Sequence, residues 1–224
     1  MFAKTCAALF DLDGTLIDNM GFHSRAWVTF CERHGIAVGD PSRHEREFAG
    51  KTNSEILKVL IGRPVVGDEL AALATEKESM YRELYAPHMA WIGGAVELIR
   101  ELRARGVAVA IASAAPPANR QMFLDALDAH ALFDAVIGGE RVSRGKPAPD
   151  IFLLAAEAVG SSTSDCVVFE DAVNGVRGAK AAGMRAVGIT TTESVNTLKA
   201  AGADSVIADF NGLSSEIRSW LGLA

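Results

Sequence analysis

Short apolar runs alternate with longer segments of helical periodicity along most of the chain. Six of these runs have the length and the flanking turn residues of buried strands, at residues 7–10, 107–113, 135–138, 166–170, 186–189 and 205–207. Helical periodicity fills the intervals between the later runs, at residues 118–127, 151–159, 175–182 and 197–201. Strands that alternate with helices predict an α/β fold with a doubly wound, Rossmann-like parallel sheet.

The segment between residues 18 and 85 departs from this alternation, because it contains helical patterns and no convincing strand. Its helical stretches cover residues 22–34, 54–61 and 68–85. Gly93 and Gly94 then precede another helical stretch, 95–105, which leads back to the sheet. We therefore predict a core domain formed by residues 1–16 and 93–224, with a helical cap domain, residues 17–92, inserted after the first strand.

Composition and charge disfavour several classes of protein. The 224 residues carry a net charge of -6 and no long cluster of Lys and Arg, so we expect no nucleic-acid partner. No apolar run approaches the roughly 20 residues that span a bilayer, so we expect no membrane partner and a cytoplasmic location. The widely spaced Cys6, Cys31 and Cys166 are expected to be reduced core thiols. A capped domain of this size is compatible with a monomer.

Two acids follow the first apolar run, in the order Asp11-Leu12-Asp13-Gly14. Residues at alternate positions of an extended chain point the same way, so the two carboxylates are expected to face one side. An Asp-Gly pair is also an ordinary turn signal, which explains Asp13 and Gly14 but not Asp11. Because ligands bind beyond the carboxyl ends of parallel strands, this pair is a candidate site.

Polar groups also follow later strands. The run at 107–113 ends at Ser113, whose hydroxyl, with the adjacent backbone amide of Ala114, could hold a phosphate oxygen. The loop at 145–150 contains Lys146 and two prolines that stiffen it. A single lysine is usually only solvated, but a lysine held in a rigid loop could neutralise a phosphate or a pair of carboxylates.

The run at 166–170 ends in two adjacent acids, Glu170 and Asp171. Close approach of these acids to Asp11 would be strongly unfavourable without a cation, because like charges repel. Ligands that are all oxygen atoms indicate magnesium. The alternative is that Asp171 only caps the helix that follows.

In combination, these residues resemble the four ordered motifs of haloacid dehalogenase-like phosphotransferases. The matching segments are 10–16, Ser113, 145–147 and Glu170-Asp171 with Gly175. The cap resembles that of the β-phosphoglucomutase-like branch of this superfamily through residues 23–27 and 50–53. The resemblance spans essentially the whole chain.

This resemblance implies a phosphotransferase mechanism that uses both aspartates. Asp11 would attack phosphorus and form an aspartyl-phosphate, while Asp13 would protonate the leaving oxygen and later take a proton from water. Relatives that cleave carbon–halogen bonds lack the second aspartate, so Asp13 disfavours a dehalogenase.

The resemblance also implies which groups bind magnesium and phosphate. The magnesium ligands would be the Asp11 carboxylate, the Asp13 backbone carbonyl and Asp171, with Glu170 beside them. The transferring phosphoryl group would be held by Thr15, Ser113, Ala114 and Lys146.

The candidate substrate residues of the cap are His23, Trp27, Lys51, Asn53 and Lys77. His23 and Lys77 align with residues that contact substrate or gate closure in the β-phosphoglucomutase-like branch, and Trp27 could stack on a sugar. His23, Trp27 and Lys77 each have a structural alternative. His23 could lie at the edge of an amphipathic helix, and Trp27 could pack in the cap. Lys77 lies between two glutamates, for which a solvated helix face is the favoured interpretation.

The cap and the loop after Ser113 favour hydrolysis over phosphate transfer within a sugar. A phosphomutase needs a second phosphate site, yet Asn53 stands where β-phosphoglucomutases have an arginine, and 115–117 replaces a polar or basic run. We therefore predict a magnesium-dependent phosphatase acting on small phosphate esters, including sugar phosphates. A phosphomutase remains the alternative, because Lys51, Lys77 and Arg120 could form a distal phosphate site. A noncatalytic binding protein is disfavoured by the complete set of polar motifs.

Overall fold

The computed structural model describes residues 6–38, 48 and 51–224. The chain divides into two compact units. One unit comprises Met1–Asp18 and Ala90–Ala224, and the other comprises Asn19–Met89. Gly50, in one of the cap motifs, lies outside the described residues.

The larger unit contains a six-stranded parallel sheet in the order β3-β2-β1-β4-β5-β6. The strands are β1 Ala7–Phe10, β2 Ala108–Ser113, β3 Ala135–Gly138, β4 Cys166–Glu170, β5 Arg185–Ile189 and β6 Ser205–Ile207. The order reverses direction between β1 and β4, which is the topological switch point of a doubly wound sheet.

The smaller unit is helical in its described part. Its helices are α1 Met20–Arg33, α2 Asn53–Ile61 and α3 Gly67–Tyr85, followed by a short 3-10 turn, Ala86–His88. A capping box begins α2, since the Thr52 side chain accepts from the Glu55 amide and the Glu55 side chain accepts from the Thr52 amide. Trp27 and Phe30 of α1 are buried within this unit.

Helices precede, connect and follow the strands of the larger unit. They are α4 Ala95–Ala104, α5 Pro117–Ala126, α6 Asp150–Ala158, α7 Val173–Ala181, α8 Val195–Ala201 and α9 Ser215–Trp220. Alternate strand residues such as Leu9 and Val168 join side chains of α6, α7 and α8 in one buried cluster. Phe10 and Phe169 stack with ring centroids 4.9 Å apart, and Phe210 packs against both rings.

The predicted α/β fold with a doubly wound parallel sheet is confirmed. All six predicted strands are present, and the observed ends of β2 and β5 differ by one residue from the predicted ends. Periodicity succeeds here because strands buried on both faces form nearly continuous apolar runs. The three cysteines are free thiols. None of the helices in the described part of the chain has the length and apolar character needed to cross a membrane.

Candidate active site

The parallel register aligns the ends of the central strands. Phe10, the last residue of β1, pairs with Ile111 of β2 and Phe169 of β4. Asp11, Ser113 and Glu170 therefore follow or end neighbouring strands at the same edge of the sheet. This is the carboxyl edge beside the switch point, where α/β sheets bind ligands.

Lys146 connects two of the acids. Its ammonium nitrogen lies 2.6 Å from Oδ1 of Asp11 and 2.5 Å from Oε1 of Glu170. The side chain is 12% exposed, and its nitrogen lies 5.1 Å from the ring centroid of Phe152 in α6. Burial alone would lower the pKa of Lys146, but the charges of the two carboxylates outweigh burial and raise it. Lys146 is therefore a fixed cation at physiological pH.

Asp11, Glu170 and Asp171 form a buried acidic cluster. Among the described residues, one carboxylate oxygen from each lies within 4.8 Å of the others. Burial is the largest cause that raises the pKa of Glu170, although Lys146 opposes it. Burial and repulsion from the other two acids raise the pKa of Asp171 well above its usual value. This donor set fits a hard divalent cation, which would relieve the repulsion among the carboxylates.

The turn after β1 fits closely against Asp171. Gly14 has a φ of 73°, a conformation that favours glycine. A Cβ at this position would also collide with the Asp171 carboxylate. The Thr15 hydroxyl donates to Oδ1 of Asp171 at 3.3 Å. Asp13 is partly exposed on the same turn. The glycine thus lets the turn that carries Asp13 approach the acidic cluster.

The loop after β2 is held by the Ser113 hydroxyl, which accepts a hydrogen bond from the Ala115 amide at 3.1 Å. The guanidinium of Arg120 donates to the Ala115 carbonyl and binds both carboxylate oxygens of Glu140, at 2.5 and 3.1 Å. Ala114 is exposed between these anchored residues. The suggestion that Arg120 belongs to a distal phosphate site is therefore wrong, because its guanidinium is buried and occupied by Glu140.

Glu170 also requires a glycine in the next helix. A Cβ on Gly175, in the first turns of α7, would collide with the Glu170 carboxylate. The second oxygen of that carboxylate accepts a hydrogen bond from the Ala172 amide at 3.3 Å. Gly175 therefore gives Glu170 the space it needs beside Lys146.

In the smaller unit, Lys77 is buried and only 2% exposed, so the interpretation of a solvated helix face is wrong. Its ammonium nitrogen lies 2.9 Å from Oε1 of Glu78 and 2.7 Å from Nδ1 of His23. Charge compensation by the adjacent glutamate makes this burial tolerable. Burial and, second, the Lys77 charge lower the pKa of His23 to about 3. His23 is therefore neutral at physiological pH.

The other predicted cap residues differ in their surroundings. Trp27 is buried, with the Lys77 ammonium 5.0 Å from its ring centroid. Asn53 donates to Oε1 of Glu78 at 3.0 Å and so joins the same polar cluster. Lys51 is exposed. The structure thus brings His23, Trp27, Asn53 and Lys77 together, whereas Lys51 is not among their described contacts.

Sequence inspection missed Glu78, Glu140 and Thr192. Glu78 shares a run of charged residues with Lys77, and the run does not reveal its hydrogen bond with Asn53 of α2. Glu140 follows β3 in a 3-10 turn, which a pattern of apolar residues does not reveal. Thr192 makes a side-chain hydrogen bond to Asp171, which opposes the larger effect of burial on the pKa of that carboxyl. No feature of the sequence distinguishes Thr192 from its neighbouring threonines.

Comparison with known proteins identifies the family. A family model described as "Hydrolase: haloacid dehalogenase-like hydrolase" matches residues 7–183. The chain belongs to the haloacid dehalogenase-like hydrolase family. The resemblance inferred from the motifs is therefore confirmed for this hydrolase.

Several relatives of this haloacid dehalogenase-like hydrolase are named as phosphatases. Validoxylamine A 7'-phosphate phosphatase from Streptomyces hygroscopicus subsp. limoneus is 33% identical, over 90% of this chain and 92% of the relative. Fructose-1-phosphate phosphatase YqaB from Escherichia coli is 30% identical, over 84% and 98%. These names support the prediction of a phosphoric monoester hydrolase.

One relative is much longer than this hydrolase. Protein SUPPRESSOR OF QUENCHING 1, chloroplastic, from Arabidopsis thaliana is 35% identical over 95% of this chain. The match covers 20% of that relative's length.

Solved structures share the fold of this hydrolase. A family IA, variant 3 hydrolase from Entamoeba histolytica superposes with a TM-score of 0.88, at 28% identity, over 98% of this chain and 99% of that one. β-Phosphoglucomutase from Clostridium difficile superposes with a TM-score of 0.81, at 25% identity, over 97% of each chain. The similarity therefore includes both the hydrolase and the mutase members of the family.

Proposed function

We propose that this protein is a magnesium-dependent phosphatase that hydrolyses small phosphate esters, including sugar phosphates, through an aspartyl-phosphate. The observation that carries the proposal is the buried lysine bridge, in which Lys146 contacts both Asp11 and Glu170. A cation fixed beside a carboxylate is expected where a negatively charged phosphoryl group must approach a negatively charged nucleophile.

The residues present fit magnesium. The side chains of Asp11, Glu170 and Asp171 and the backbone carbonyl of Asp13 would hold it. Burial and repulsion from neighbouring acids raise the pKa values of Glu170 and Asp171, and a divalent cation would offset that repulsion. Bound magnesium would neutralise part of the charge on the phosphoryl group.

In the first step, an oxygen of Asp11 forms a bond to phosphorus while the bond from phosphorus to the ester oxygen breaks. Asp13, protonated at that moment, gives its proton to the departing oxygen. In the second step, Asp13 takes a proton from water as the water oxygen bonds to phosphorus, and the bond to Asp11 breaks. Phosphate and the free Asp11 carboxylate result.

The loop after β2 is suited to hold the phosphoryl oxygens. Ser113 accepts a hydrogen bond from the Ala115 amide, so its own hydroxyl proton can be donated to a ligand. The Ala114 amide lies between the two anchored residues. Thr15 stays a prediction as a phosphate ligand, because its hydroxyl donates to Asp171 in this structure.

Hydrolysis is preferred to a mutase reaction because two candidate residues for a distal phosphate site have other partners. Arg120 binds Glu140, and Lys77 binds Glu78. The names of the validoxylamine A 7'-phosphate phosphatase and fructose-1-phosphate phosphatase relatives support phosphorylated carbohydrates as the substrate class. The substrate roles of the cap residues, the cytoplasmic location and the monomeric state remain predictions.

The test is release of inorganic phosphate from p-nitrophenyl phosphate and from a panel of sugar phosphates, with magnesium or with EDTA. We expect turnover only with magnesium, and none from Asp11→Asn, which keeps the shape of the side chain but lacks the nucleophilic charge. Turnover by Asp11→Asn at the wild-type rate would exclude Asp11 as the nucleophile. Efficient conversion of β-glucose 1-phosphate to glucose 6-phosphate without phosphate release would favour the mutase instead.

A further inference from the structure

Glu140 lies at the same edge of the sheet as the loop after β2, which is proposed to hold the phosphoryl group. It belongs to the 3-10 turn that directly follows β3. Gly138, the last residue of β3, pairs with Ser113 at the end of β2. A Cβ on Gly139 would come within 3.4 Å of the Ala114 Cα, so the turn that carries Glu140 packs against the backbone of that loop.

The ion pair of Arg120 and Glu140 presents its negative end to solvent. The Arg120 side chain is 9% exposed, whereas that of Glu140 is 47% exposed. A Cβ on Gly138 would collide with the guanidinium, so Arg120 occupies space that this glycine leaves. Burial would raise the pKa of Glu140, but its hydrogen bonds, above all with Arg120, outweigh burial and lower it. Glu140 is therefore ionised at physiological pH.

The part of the loop that Arg120 contacts is poorly suited to bind a second anion. The Ala115 amide donates to the Ser113 hydroxyl, and the Ala115 carbonyl accepts from Arg120. Pro116 and Pro117 follow, and proline has no amide proton. Ala115 and the two prolines therefore offer no free backbone donor that would compensate a negative charge on a substrate.

The alcohol that departs with the ester oxygen is attached to the phosphoryl group that this loop is proposed to hold. A charge on its first few carbon atoms comes close enough to interact with Glu140, because exposed charges act over about 8 Å at physiological salt. A like charge without a compensating donor selects against a ligand. We propose that Glu140 is a specificity-determining residue that favours phosphate esters of uncharged alcohols over esters that carry a second anionic group. This inference rests on the proposed function.

Competing ligands measure this selection whether or not they are hydrolysed. Glycerol 3-phosphate and 3-phosphoglycerate share a carbon skeleton, and a carboxylate in the second replaces a neutral hydroxymethyl group in the first. In an assay of p-nitrophenyl phosphate hydrolysis with magnesium, we expect glycerol 3-phosphate to inhibit wild type about 10-fold more tightly than 3-phosphoglycerate does. Glu140→Gln keeps one hydrogen bond to Arg120 but loses the charge, so the ratio of the two inhibition constants should fall about 5-fold.

Matched controls separate the charge of Glu140 from a structural role. Glu101→Gln removes a carboxylate that binds Arg218 through both oxygens, and it should keep the wild-type ratio. Glu140→Asp keeps the charge and should keep most of the discrimination. High sodium chloride should reduce the wild-type ratio and change the ratio of Glu140→Gln much less. A purely structural role of Glu140 would weaken both ligands equally and leave the ratio unchanged.

The outcomes separate this inference from the proposed function. If p-nitrophenyl phosphate is hydrolysed, but wild type and Glu140→Gln show the same ratio or neither compound inhibits wild type, the role of Glu140 is wrong and the phosphatase proposal stands. If wild type releases no phosphate from p-nitrophenyl phosphate or from the sugar phosphates with magnesium, the proposed function is itself wrong. Should Glu140→Gln fold poorly, the wild-type ratio decides alone, because a ratio that does not fall with salt contradicts the inference.

Discussion

The ammonium nitrogen of Lys146 lies 2.6 Å from Oδ1 of Asp11, although 135 positions of sequence separate the two residues. The contact depends on the loop before α6 reaching the end of β1. It joins the proposed nucleophile, Asp11, to a buried ammonium group that Asp11 and Glu170 hold in place.

Replacement of Lys146 by a neutral residue should impair turnover severely. In Lys146→Met, the carboxylates of Asp11 and Glu170 lose their shared partner, and the phosphoryl group meets uncompensated negative charge. We expect kcat to fall by about 100-fold or more, measured by phosphate release at saturating magnesium. Lys180→Met is the control, because Lys180 binds Asp204 elsewhere. A Lys146→Met rate within twofold of wild type would remove Lys146 from the mechanism.

The contacts of Arg120 with Ala115 and Glu140 should affect the affinity for phosphate more than the affinity for magnesium. In Arg120→Met, the Ala115 carbonyl and the Glu140 carboxylate lose their partner, so the loop that carries Ala114 becomes less ordered. We expect inhibition by inorganic phosphate to weaken about 10-fold, equal to about 1.4 kcal/mol, while magnesium affinity stays near the wild-type value.

Arg103→Met provides the comparison for Arg120, because Arg103 binds Asp134 on the surface. If Arg120→Met and Arg103→Met are both inhibited by phosphate as strongly as wild type, the contacts of Arg120 do not order the loop that carries Ala114. Glu140→Gln should show a smaller effect in the same direction as Arg120→Met, because a neutral amide still accepts one hydrogen bond.

His23 should make stability depend on pH on the acid side of neutrality. Its pKa is about 3 in the folded protein, whereas an unperturbed histidine titrates near 6.5. As the pH falls between these values, the unfolded chain takes up a proton that the folded chain does not. The free energy of unfolding therefore falls with decreasing pH across this window.

Urea unfolding of wild type and His23→Gln between pH 7 and pH 4 measures this effect. We expect the variant to lose about 3 kcal/mol less than wild type over this range. His130→Gln is the control, since His130 is half exposed and binds Asp125. Equal slopes for wild type and His23→Gln would contradict the neutral, buried state of His23.

Phe210 supports the two strands that carry the acids. Its ring packs on Phe10 and Phe169, the residues immediately before Asp11 and Glu170. Phe210→Ala should lower the free energy of unfolding by about 3–5 kcal/mol through the cavity it leaves, measured by denaturant titration. Leu153→Ala, at a side chain that is 42% exposed, should have a much smaller effect. A loss below about 1 kcal/mol would mean that the rings repack.

The sheet and the acidic cluster were predictable because they depend on local signals: buried parallel strands form apolar runs, and their ends carry Asp11, Ser113 and Glu170. The partners of charged residues on helices were not predictable from the sequence. Lys77 has the charged neighbours of a solvated face, yet the fold buries it beside His23. Arg120 has the charge of a phosphate ligand, yet Glu140, on another segment, occupies it. Such pairings depend on tertiary contacts that no local pattern encodes.

Gly175 has a consequence for protein engineering. The Glu170 carboxylate occupies the volume that any larger residue at Gly175 would fill. A designer who transfers these acids to another parallel sheet must therefore move the end of β4 and the first turns of α7 as a single module. If the helix that follows the transferred strand had alanine at this position, the alanine Cβ would displace the Glu170 carboxylate from Lys146.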